Sequence, residues 1–92
     1  MALTSQQATR LFNSIGFACI APPDKAVESI TEAYSLLPEV ATTPTSLTDE
    51  ELGQLTQWVT EAWRAISDGK PARRLHRAAM LAKRIADERN PC

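Results

Sequence analysis

The chain has 92 residues, 43% of them hydrophobic, with ten Lys and Arg against eleven Asp and Glu. That hydrophobic share excludes a disordered chain, and no apolar run approaches the roughly 20 residues that span a bilayer. One domain with one modest core is the arrangement this length supports, over residues 1–92.

The net charge of −1 hides a division along the chain. Up to Gly69 there are nine acids and three bases, and from Lys70 onward seven bases and two acids, so −6 is followed by +5. A basic end of this kind reads either as a binding face or as internal neutralisation of the acidic part.

The first helix is expected from about Thr4 to Ile15. Thr4 and Gln7 have capping-box spacing, and Ala8, Leu11, Phe12 and Ile15 make an apolar face. Gly16 is read as its stop, with Phe17 folding back onto Phe12. Ala18 to Pro22 then reads as an apolar connector packed on the body, with Cys19 as a small buried hydrophobe.

Pro23 or Asp24 opens the second helix. Val27, Ile30, Tyr34 and Leu37 share a face that Ala26 and Ala33 widen, and Pro38 is expected to end it. The Thr-rich stretch from Glu39 to Ser46 reads as the longest and most mobile loop.

The best-specified element is LTDEELGQLTQWVTEAWRAISDG, from Leu47 to Gly69. Thr48 and Glu51 form a second capping box, with Leu47 and Leu52 at staple positions. Asp49, Glu50 and Glu51 complement the positive end of the helix dipole. Leu52, Leu55, Val59, Ala62 and Ile66 form the buried stripe, and Gly69 is the natural left-handed stop.

A turn at Asp68 to Pro71 leads into a fourth helix expected from about Ala72 to Arg89, closed by Asn90 and Pro91. Its face of small residues, Leu75, Ala78, Ala79, Ala82, Ile85 and Ala86, would receive Leu55, Val59 and Trp63 from the helix before. The fold expectation is all-α with four helices: an antiparallel hairpin of two long C-terminal helices, with two shorter N-terminal helices packed across it.

For chemistry the residues offer little. His76 is the only histidine, so paired imidazoles at a metal are excluded. Cys19 and Cys92 are too few for a disulfide scaffold and lack metal-ligand spacing. The carboxylates of Asp49, Glu50 and Glu51 diverge by about 100° per residue around a helix, and no phosphate-cradling glycine loop or nucleophile elbow is present. These residues predict no enzyme, no metal and no cofactor. A helix-turn-helix is suggested by Ala65, Gly69 and Leu75, but Lys70 and Pro71 in its turn and the length of both helices count against it.

The basic helix carries the sharper expectation. At helical spacing Lys70, Arg73, Arg77 and Arg84 align opposite the alanine face, with Leu81 among them and Met80 at the edge. Arginine framing apolar residues resembles a protein contact surface, and Trp58, off the centre of its stripe, is a further candidate anchor where it does not serve the core. The leading expectation is a non-catalytic protein-binding module in the cytoplasm, an inhibitor or adaptor of the kind mobile genetic elements also encode. Against it stand a nucleic-acid reader using the basic helix and a nucleic-acid mimic using the acidic ones. A third arrangement is a homodimer in which Glu28 and Glu32 of one copy meet Arg77 and Arg84 of another. No role at a membrane is expected.

Overall fold

A computed structural model describes residues 3–90. Four helices account for the secondary structure among them: α1 (Ser5–Ile20), α2 (Pro23–Ala41), α3 (Asp49–Ser67) and α4 (Leu75–Arg89). The fold is all-α, as the hydrophobic periods require. Each helix packs on the next in sequence, and α4 closes back on α1. Contacts at the ends fix the directions. Asn90 after α4 donates to Ser5 and Thr9 at the start of α1, Arg84 late in α4 meets Glu51 at the start of α3, and Pro23 and Val27 line a groove with Ile66 and Ser67. Only two residues separate α1 from α2. The result is an up-down-up-down bundle around a core led by Leu11, Ile15, Ile30, Val40, Leu55, Val59 and Ile85.

Both capping boxes form. The amide of Gln7 donates to Thr4 Oγ1 at 3.1 Å and that of Glu51 to Thr48 Oγ1 at 3.1 Å, with each N3 side chain accepting from the cap amide in return. The stop at Gly69 also forms. With φ at +76°, its amide reaches Ile66 O at 2.9 Å and the Lys70 amide reaches Ala65 O at 2.8 Å, a Schellman ending.

Two other stops and one start lie elsewhere than the sequence predicts. Gly16 does not end α1, which continues to Ile20. The buried Ala18 draws the chain into one more turn, and the stop comes at Ala21, whose neighbour Pro22 disfavours helical geometry. Phe17 therefore stays 46% exposed and does not fold back on Phe12. Cys19 is also exposed, not a buried hydrophobe, and Ile20 is 83% exposed. Partial desolvation still pushes the Cys19 thiol above its ordinary value.

Pro38 does not end α2 either; the helix runs through it to Ala41. Proline removes one backbone hydrogen bond there, but stopping at Leu37 would leave Val40, now 1% exposed, outside the core. The link after α2 is pinned as well. The Leu3 amide donates to the buried Thr43 Oγ1 at 2.7 Å, and that hydroxyl donates to Glu39 O at 2.5 Å. From α4, Glu88 accepts the Ser46 amide at 2.8 and 3.1 Å, and Arg89 reaches Pro44 O at 3.4 Å.

The fourth helix starts at Leu75, not Ala72. Arg74 sits in left-handed geometry at φ +60° and offers its carbonyl to the Arg77 and Ala78 amides, so residues 72–74 belong to the link. The expected lengths change accordingly: α1 and α2 have 16 and 19 residues, and α4, with 15, is the shortest. The packing of the alanine face also differs. Ala78, Ala82 and Ala86 are buried, but α4 packs more extensively on α1 than on α3. Trp63 turns to α2, stacking on Tyr34 with centroids 4.6 Å apart and donating from Nε1 to Thr31 Oγ1 at 3.2 Å. The expectations for Pro91 and Cys92 fall outside the described residues.

Candidate contact surface on the α3 and α4 side

The seam between α3 and α4 is the least extensive of the four. It is closed at one end by Arg84, whose Nη1 lies 2.6 Å from Glu51 Oε2 and whose Nη2 reaches Ser46 Oγ at 3.4 Å. The Glu51 carboxyl is held below the usual carboxylate range, first by the Thr48 amide and then by the Arg84 guanidinium. Arg84 therefore neutralises an acid of its own chain, and as a free member of a binding stripe it is a correction to the sequence reading.

That pairing sets the register of the whole seam. Two helical turns along α3 from Glu51 comes Trp58, and two turns back along α4 from Arg84 comes Arg77, with Leu81 between. Trp58 and Leu81 are both half-buried against the core. Leu81 does not project into solvent as its place opposite the alanines suggests. The alanine face turns toward α1, so the flank that carries Leu81 is covered by α3. Met80, one residue earlier, points outward and is 67% exposed.

Lys70 and Arg73 lie on the link before α4, so a single helix does not carry the four cations. The link nevertheless brings them to the same side. Lys70, Pro71 and Arg73 line an open groove of ≈ 360 Å³ with Glu61 and Ala65 of α3. Glu61 and Ala65 fall on the flank of α3 that also presents Trp58. From Lys70 to Ala86 the sequence carries Lys70, Arg73, Arg74, Arg77, Lys83 and Arg84 and no acid. Among the described residues, only Arg84 of these is ion-paired, the other pair being Arg10 with Glu32 at 3.1 Å.

The face therefore has three parts: the closed pair Glu51–Arg84, a half-covered Trp58 and Leu81, and an exposed group of Lys70, Arg73, Arg74, Arg77 and Met80. Arg74 is the member sequence reasoning missed. As a helical residue it would face the core side beside Ala78; its left-handed backbone at the cap leaves it exposed.

Fold and face together describe a small four-helix bundle with a basic edge. No protein-family model matches the chain, and no curated protein or solved structure matches it.

Proposed function

We propose that this protein is a non-catalytic binding module, an inhibitor or adaptor, that acts by laying the Lys70–Met80 edge against another protein. One observation carries the reading: exposed Met80 stands one helical turn from Arg77, in a segment whose cations other than Arg84 have no ion-pair partner among the described residues. An exposed methionine adds nothing to the monomer, whereas at the centre of an interface it supplies buried apolar area while arginines set orientation and association rate.

The non-catalytic part rests on the dispersal of reactive groups. His76 and Cys19 stand exposed on different helices, and Asp49, Glu50 and Glu51 in the first turn of α3 serve its N-terminus. A nucleic-acid reader is the second reading, supported by the same cations. The homodimer through Glu28, Glu32, Arg77 and Arg84 is less well supported, since Glu32 and Arg84 are each engaged within the chain.

The test compares affinity capture from the protein's own cells by the wild type and by Met80→Asp with Arg77→Glu. Both residues are exposed, so melting should stay within about 0.5 kcal/mol of wild type. Loss of a specific companion protein with melting unchanged supports the proposal. An identical set of captured proteins removes this surface from consideration.

A further inference from the structure

Resting on that reading, we infer that the edge receives an acidic segment of a partner protein, one that places an apolar side chain between carboxylates. The groove beside α3 is lined by the apolar Ala65 and Pro71 together with the cations Lys70 and Arg73. Glu61 is the one acid that lines it. Beyond the groove Arg74, Arg77 and exposed Met80 continue the pattern of cation beside apolar surface. The first turn of α4 holds no acidic residue, so nothing there offsets the positive end of its dipole. A peptide with carboxylates flanking leucine or a similar residue matches both chemistries at once: the carboxylates meet guanidinium groups that can grip them in pairs, and the apolar side chain covers Ala65, Pro71 or Met80.

A nucleic acid matches less of this surface. Its phosphates would suit the cations, but bases need aromatic faces or polar edges to rest on, and the aromatic on this face, Trp58, is half-covered against the core, which leaves Met80, Ala65 and Pro71. The exposed aromatics Phe17 and Tyr34 belong to α1 and α2. A strand extended past the edge would also meet an acidic body, −6 up to Gly69.

The experiment measures fluorescence anisotropy of a short dye-labelled peptide of Glu and Leu with the intact protein at about 0.05 M salt, where surface charges are weakly screened. Two comparison probes are the same peptide with Gln for Glu and a single-stranded oligonucleotide of equal length. The Glu peptide should bind and weaken with salt. Arg73→Glu with Arg77→Glu should reduce its affinity by about tenfold or more, as reversal of contact charges does. The milder Arg73→Gln with Arg77→Gln, confirmed folded by melting, should reduce it less. Equal binding of the Gln peptide would make the contact purely apolar and overturn the inference. So would tighter binding of the oligonucleotide, no binding of any probe, or a dimer in sedimentation that the same substitutions dissolve. Capture of the cellular companion separates the two levels. If the probes fail yet Met80→Asp with Arg77→Glu still loses that companion, the surface stands and its acidic partner falls. If the companion is retained, the surface falls as well.

Discussion

Leu81→Asp and Met80→Asp are adjacent, chemically matched substitutions that the structure separates. Leu81 is half-buried against the core on the flank covered by α3, whereas Met80 is 67% exposed. Full burial of a leucine side chain is worth about 1.5–3 kcal/mol, so a half-buried one should lose about 1 kcal/mol of apolar stabilisation. A carboxylate forced into the same partly covered site adds desolvation, bringing the cost to about 2 kcal/mol. In a domain of this size 1 kcal/mol moves the midpoint by about 4–8 °C, so Leu81→Asp should melt about 8–16 °C below wild type. Met80→Asp should melt within a few degrees of it. Thermal unfolding followed by circular dichroism measures both. If Leu81→Asp melts with the wild type, the register set by Glu51 and Arg84 is wrong, and α4 is rotated so that Leu81 belongs to the exposed edge.

Thr43→Val keeps the shape but leaves the Leu3 amide without its buried acceptor, and should cost about 1–3 kcal/mol in denaturant unfolding; a wild-type midpoint would show that the link is not pinned there. Pro38→Ala restores an amide inside α2 and relieves the ring's crowding of the Tyr34 carbonyl. Offset by a looser unfolded chain, the net should be a gain of about 1–2 kcal/mol; a lower midpoint would contradict the account of that helix. The pH response has a definite sign. The folded-state value of Glu51 is lowered, so its contribution is present above the ordinary carboxylate range and is lost as pH falls through the folded value. Glu51→Gln should therefore flatten the fall of melting temperature on acidification, and an unchanged slope would show that Glu51 contributes nothing.

What could be read from the residues was the chemistry that acts over three or four positions. The two Thr caps, the Gly69 ending and the stripe from Leu55 to Ile66 all form, because each is decided by groups within one helical turn or one helical face. What could not be read was decided by partners far along the chain. Gly16 and Pro38 are local stop signals overruled by the burial of Ala18 and Val40, two residues further on in each case. The late start of α4 at left-handed Arg74 had no local signal; Pro71 invited an earlier start.

The contact face shows the same division. The run of cations free of acids from Lys70 to Ala86 is plain in the sequence, and so is the nearness of Met80 to Arg77. The orientation of Leu81 was not, because it depends on which neighbour takes the alanine face. That face goes to α1 rather than to α3. The pairing of Arg84 is hidden for the same reason, since the acid it meets, Glu51, lies 33 residues earlier in the chain.

Site-specific photocrosslinking in cells tests the central claim most directly. A photoreactive residue at Met80, one at Arg73, and one at Thr60 on the opposite, α2-facing flank of α3 would report which side another protein touches. Crosslinks from Met80 and Arg73 to the same discrete protein, with none from Thr60, are the result this account predicts. Crosslinks from Thr60 alone, or equally from all three positions, would contradict it.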